Sequence, residues 1–247
     1  METKQQKIVT TAKTVSWFSA GVSSAVATKL AIDDIDQIIY THIDDQHDDT
    51  MRFVKDCEQW FDKEIIIISS PIKNVSDAMC FFPSRGFGAW SPCTQLLKRR
   101  VRKVWERNHK DYDLTYIWGM DCTERDRADR LQYSMPKQKH RNPLIEQSIS
   151  KQHAHEILNA SGINRPEMYH LGYQNNNCIG CVKGGMAYWN HIRVDFPEVF
   201  KARSELERKL GGSFIKDVYL DELDPARGRD KPPIVDSCGI MCELEAL

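Results

Sequence analysis

The strongest constraint on this chain is the alternation of strand-like and helix-like segments over residues 14–70. Residues 14–19 are a short β-branched and aromatic run. Residues 23–32 are helix formers, with Val26, Ala27, Leu30 and Ala31 at helical spacing. A second strand is predicted over 37–43. An amphipathic helix follows over 50–61, with Phe53, Val54, Cys57, Trp60 and Phe61 on one side. A third, almost wholly apolar strand covers 64–69, as expected where both sheet faces are covered. Strands separated by single helices need crossover connections, so the sheet is parallel. The predicted fold class is α/β: a Rossmann-like parallel sheet with helices on both faces.

Further elements follow in the same style. Residues 76–90 read as irregular, with Pro83, Gly86 and Gly88. Ser91-Pro92 is an N-cap and first-turn proline, opening a helix to about Asn108. A fourth strand over 114–118 ends at Gly119. Helices are predicted over 124–132, from Ser150 to near Gly162, and over 197–210, where Gly211-Gly212 stops the last one. From about Tyr169 the character changes to a polar, glycine-containing knuckle at 175–181 and a charged, turn-rich stretch at 221–233. The expected division is a nucleotide-binding domain over 1–164 and a C-terminal cysteine-bearing appendage over 165–247.

A chain of 247 residues can bury a core without covalent staples. Its net charge of −1 gives no global attraction to nucleic acid or membrane, so such a partner must meet a local patch. The longest apolar run, 65–68, is strand-sized, and a membrane partner is not expected. The polar start Met1-Glu2-Thr3-Lys4 lacks the apolar region of a secretory signal. A cytoplasmic location is expected, in which eight cysteines are thiols, metal ligands or redox groups rather than a disulfide framework.

The first strand runs into Ser19-Ala20-Gly21-Val22-Ser23-Ser24 and then a helix. Amides at a helix N-terminus lack partners and carry partial positive charge, which suits an anion. Gly21 permits close backbone approach, and the hydroxyls of Ser19, Ser23 and Ser24 can donate to phosphate. No Walker lysine motif is present. The segment resembles the PP-loop family, whose pattern is S-G-G-x-D/S-S, with Ala20 where a glycine is usual. In that family the second strand ends in an acid, here Asp44, which the resemblance places at the nucleotide or its metal.

Two later segments are similar to those of phosphoadenosine phosphosulfate (PAPS) and adenosine phosphosulfate reductases. Cys93-Thr94-Gln95-Leu96-Leu97-Lys98 resembles their C-x-x-x-x-K segment. Gly119-Met120-Asp121-Cys122-Thr123-Glu124-Arg125 resembles G-x-R-x-x-E-S, with departures at Asp121 and Arg125. The resemblance implies nucleotide contacts at Gly119, and among the basic residues on the two predicted helices Lys98 and Arg130 are the candidates to clamp phosphate or sulfate. The loss of the arginine at 121 weighs against a sulfated adenosine substrate.

Cys178-x-x-Cys181 and Cys238-x-x-x-Cys242 can each present two sulfurs to one ion. Four thiolates suit tetrahedral zinc or a 4Fe-4S cluster. Cys238-Gly239-Ile240 also matches the middle of the reductases' late Glu-Cys-Gly-Ile-His segment. In that alternative Cys93, Cys178, Cys181 and Cys242 hold the cluster and Cys238 is the nucleophile.

Taken as implied by the resemblance, the leading function is an ATP α-pyrophosphatase. It adenylates an acceptor and releases pyrophosphate, with Ser24, Asp44 and Lys98 as catalytic candidates and Mg²⁺ assisting. An iron–sulfur centre would fit sulfur transfer to a nucleic acid or small molecule, with a nucleic-acid acceptor or sulfur-donor protein as partner. The alternatives are a sulfonucleotide reductase using Cys238 and a zinc-stabilised nucleic-acid-binding module without catalysis.

Overall fold

The computed structural model describes residues 11–81, 91–231 and 234. Strands β1 (Thr11–Phe18), β2 (Gln37–His42), β3 (Ile65–Ser69), β4 (Tyr112–Ile117) and β5 (Lys139–Arg141) form one sheet in the order β3-β2-β1-β4-β5. Every neighbouring pair is parallel. The chain builds outward from β1 to β3, then returns to the other side of β1 through β4. That reversal opens a crevice at the carboxyl ends of β1 and β4, where open α/β sheets take their ligands.

The period-2 alternation of β1 divides its side chains between two cores. Phe18 joins Ile38, Tyr40, Phe53, Phe61 and Leu158 beneath α1 (Val22–Leu30), α2 (Asp49–Phe61) and α7 (Lys151–Ala160). Val15 joins Ile39, Leu114 and Tyr116 on the opposite face, where Trp17 meets Trp105 of α4 (Arg100–Asn108) edge-on at 5.7 Å. Helices therefore cover both faces. Ser16, buried on the α1 side, shares a 2.7 Å hydrogen bond with Thr28 and so pins α1 to β1.

The predicted strands and long helices are found within a few residues of their expected limits. β3 differs in burial. As an edge strand it buries Ile65 but leaves Ile67 half exposed, because no further strand or helix among the described residues covers it there. Part of the expected irregular segment is helical: Asn74 caps α3 (Val75–Cys80) by accepting from the Asp77 amide at 2.8 Å. The helix expected from Ser91 begins as a π-helical stretch, Thr94–Arg99, that runs into α4.

The remaining helices are α5 (Arg125–Ser134), α6 (Pro143–Glu146), α8 (Glu167–His170), α9 (Met186–Asp195) and α10 (Pro197–Leu210). A distinct C-terminal appendage is not what the described residues form. Met168, Tyr173, Val182, Trp189, Leu206 and Leu220 share one apolar cluster with Ile43, Val75, Met79 and Leu97. The expectation of a separate unit rested on local polarity, whereas these apolar anchors are spread singly over residues 168–220. The buried Asp45–Arg203 ion pair adds a polar tie between the β2 end and α10.

Candidate functional site

The loop expected to hold phosphate lies between the end of β1 and the start of α1, at the reversal point of the sheet. Ala20 has φ +56° and is fully buried. A left-handed backbone costs a non-glycine residue about 1–2 kcal/mol, so the surroundings must hold it. Asn176 does so: its Nδ2 donates to the Ala20 carbonyl at 2.8 Å and to Thr50 Oγ1 at 3.2 Å.

The Ser24 hydroxyl organises the loop from within. It donates to the Gly21 carbonyl at 2.9 Å and accepts from the Ser19 amide at 3.2 Å. Ser24 thus acts as a brace that also accepts from the Ser19 hydroxyl at 2.9 Å, and Ser23 is the more accessible hydroxyl not engaged in it. The first intrahelical bond, Ala25 N–H to Gly21 O at 3.0 Å, comes after the amides of Ser23 and Ser24, which among the described residues remain available as helix-end donors. The Val22 amide is already engaged, donating to the Tyr169 hydroxyl at 3.3 Å.

Gly119 joins this loop for a steric reason. A Cβ there would lie 2.4 Å from Ser24 Cα and 2.6 Å from Ser24 N. The end of β4 can approach the start of α1 this closely only as glycine. Two positions predicted from separate segments, Ser24 and Gly119, are therefore in direct backbone contact.

The charged candidates are more dispersed. Asp44 sits just beyond β2, about half exposed, with His42 Nε2 at 3.6 Å. Its neighbour Asp45 is the structural acid: it accepts from the Val75 amide at 2.6 Å and pairs with Arg203, whose Nε donates to the Gly180 carbonyl at 3.2 Å. Lys98 is exposed on the π-helical stretch and lowers the thiol pKa of Cys178 from nearby. Arg130 is exposed on α5, and among the described residues no hydrogen bond or ion pair links it to the loop.

The metal expectation is corrected. Among the described residues no group of three or more His, Cys, Asp and Glu side chains could hold a metal ion. This overturns the iron–sulfur cluster or zinc expected with Cys178 and Cys181 among its four ligands. Burial pushes the Cys178 thiol pKa up to about 12. The knuckle has another organiser: the Tyr188 hydroxyl accepts from the Cys181 amide at 2.8 Å and donates to the Cys178 carbonyl at 3.0 Å. A CxxC turn alone does not reveal that clamp. Cys238 and Cys242 lie outside the described residues.

Several residues around the loop carried no sequence signal. Tyr169 is buried with its hydroxyl on the Val22 amide, and burial raises its pKa, so it stays neutral. Asp121, where an arginine was expected, is buried and caps the turn into α5 by accepting from the Thr123 amide at 2.9 Å. Its capping pattern with Glu124, three residues on, is legible in retrospect. Lys151 donates to Gln174 O at 2.5 Å and Asn175 Oδ1 at 2.8 Å. Gln174 and Asn175 in turn line a cavity of about 710 Å³ with Lys183, His191, Arg227 and Arg229. Asn176 thus stands with the loop on one side and the cavity wall on the other.

No family model matches the chain, and no curated protein matches it. Among solved structures the chain is similar to a phosphoadenylyl-sulfate (PAPS) reductase from Candida auris in a phosphate complex. The TM-score is 0.47 at 12% identity, covering 70% of this chain and 84% of that one. Among the described residues no helix is long and apolar enough to cross a membrane.

Proposed function

We propose that residues 19–24 hold the phosphates of an adenine nucleotide and that the chain is an ATP pyrophosphatase that adenylates an acceptor. The observation that carries this reading is the loop's position. Ser23 and Ser24 amides point from a helix start at the sheet's reversal point, and Gly119 lets the β4 end close against them. The resemblance of Ser19-Ala20-Gly21-Val22-Ser23-Ser24 to a PP-loop supports the choice of nucleotide, and the absence of a Walker lysine supports α–β over β–γ cleavage.

In this reading an acceptor oxygen attacks the α-phosphorus. The bond from the α-phosphorus to the α–β bridging oxygen breaks, and pyrophosphate leaves with the electron pair. Negative charge grows on the leaving group, where pre-aimed amides stabilise it without reorganising. Ser24 keeps the loop in shape, accepting from the Ser19 hydroxyl at 2.9 Å, while Ser23 supplies a hydroxyl donor. A sulfur or nitrogen nucleophile then displaces AMP from the activated acceptor, and no protein nucleophile is needed. The cavity beyond Asn176 offers the acceptor a place beside the nucleotide.

The test uses ATP labelled separately at the α and γ phosphates, incubated with RNA, DNA or small-molecule acceptors. AMP and pyrophosphate that disappear in a Gly21→Val variant support the reading. ADP and phosphate that disappear in the same variant overturn it, because the loop would then perform the other cleavage.

A further inference from the structure

The chain is nearly neutral, yet residues 98–111 carry seven Lys and Arg against two acids, Glu106 and Asp111. The helix built from them is two-sided. Val101 is buried, and Trp105, one turn later, packs on Trp17. Arg100, Lys103 and Arg107 lie at i, i+3 and i+7 on the opposite face, all exposed. Lys110 extends the row past the helix end.

Glu106 does not neutralise this row. It accepts from the Tyr116 hydroxyl at 2.8 Å and pairs with Arg102 on its own helix at 3.7 Å. Lys103, Arg107 and Lys110 have no ion pair with any described residue, and together with Lys137 and Tyr112 they line a cavity of about 560 Å³. At about 1.5 Å rise per residue, Arg100 to Arg107 spans about 10 Å. The row begins beside Lys98, which is close to Cys178 and hence to the carboxyl edge of the sheet.

We infer that this ridge docks the phosphodiester backbone of a single nucleic-acid strand, without reading its sequence. A row of unpaired cations along one helix face matches a regularly charged polyanion and exceeds what solubility of a near-neutral chain requires. The cavity wall adds the Tyr112 ring, 37% exposed, and Lys13 Nζ lies over that ring at 4.9 Å, placing a further cation beside the row. The inference is independent of the nucleotide reading, and its test contains no ATP.

The experiment is fluorescence anisotropy with a labelled mixed-sequence single-stranded 20-mer. Four neutralised phosphates give a slope of about −3 in log K against log salt, or about a 50-fold loss between 50 and 200 mM salt. Lys103→Glu/Arg107→Glu/Lys110→Glu is expected to weaken binding at 50 mM salt at least tenfold, at roughly the scale set by losing three phosphate contacts. A charge-matched control, Lys201→Glu/Lys209→Glu/Lys216→Glu on an exposed region elsewhere, is expected to bind normally. Circular dichroism checks that both variants fold. Absence of binding at 50 mM salt overturns the inference. So does equal weakening in both variants, or binding to phosphatidylserine vesicles without binding to the strand.

Discussion

The Asn176 side chain donates a 2.8 Å hydrogen bond to the carbonyl of Ala20, the one residue of the 19–24 loop with a left-handed backbone. A segment just before the Cys178 knuckle therefore holds the strained position of a loop that begins the fold. The same amide reaches Thr50 at the start of α2, so one buried side chain joins three parts of the chain.

Replacing Asn176 with alanine removes these bonds and leaves the Ala20 carbonyl and the Thr50 hydroxyl without their partner. Two buried hydrogen bonds of this kind correspond to about 2–3 kcal/mol of stability. Urea unfolding is expected to show that loss. Nucleotide titration of the folded variant is expected to show weaker binding, because Ala20 can relax from its held conformation. Unchanged stability would mean that another group holds the loop.

Gly119 and Gly185 make a paired test of steric demand. An added Cβ at Gly119 would meet Ser24 backbone atoms at 2.4 and 2.6 Å, and backbone cannot rotate aside. At Gly185 it would meet nothing within 4 Å. Gly119→Ala is expected to destabilise the fold by about 3 kcal/mol or more, as overpacking at a rigid contact does. Gly185→Ala should stay within about 1 kcal/mol of the parent. Equal melting temperatures for the two variants would contradict the close β4–α1 approach.

The buried ion pair between Asp45 and Arg203 gives a third test. Their side chains are 15% and 4% exposed, and the guanidinium also donates to Ser76 Oγ and the Gly180 carbonyl. Arg203→Met leaves a mostly buried carboxylate without its cation, at a cost of about 3–5 kcal/mol. The double variant Asp45→Asn/Arg203→Met removes the stranded charge and is expected to recover much of that loss. If the double variant is no more stable than the single one, the pair is not the tie between β2 and α10.

The parallel sheet was legible because its signals are local: apolar strands, amphipathic helices between them, and Gly119 ending the fourth strand. The 19–24 loop was legible for the same reason. The three-residue strand β5 was not, since Lys139, His140 and Arg141 have no apolar pattern and pair only because β4 offers a free edge. Asn176 and Tyr169 acquire their roles through contacts far apart in sequence, which periodicity does not report. The cysteine reading failed for a different reason. Spacing suggested ligands, but the partial burial of Cys178 and the Tyr188 clamp are tertiary facts. Asp44 was chosen over Asp45 on a strand-end rule, and a one-residue difference decided which acid faces solvent and which meets Arg203.

The burial of His155 makes stability fall toward acid pH. The residue is buried on α7, its ring stands edge-on to Tyr169 at 4.7 Å, and neither ring nitrogen has a hydrogen-bond partner among the described residues. Desolvation lowers its pKa to about 3, with Arg165 and Lys151 adding repulsion. The unfolded chain takes up a proton near the ordinary value of about 6.5, while the folded chain resists it. The unfolded state therefore binds more protons between these values, and stability falls as pH drops through that window. At pH 5 the expected loss from this one group is about 2 kcal/mol relative to pH 7.5. His155→Phe cannot titrate, so its stability should depend less on pH over 5–7.5, whatever its absolute stability. Because Tyr169 occupies the Val22 amide, protonation of His155 should also disturb the 19–24 loop before global unfolding. Amide hydrogen exchange at Val22, followed from pH 7.5 to 5 and corrected for intrinsic rates, is expected to lose protection in the parent and keep it in His155→Phe. Equal pH dependence of unfolding in the two proteins would show that His155 is not the group responsible.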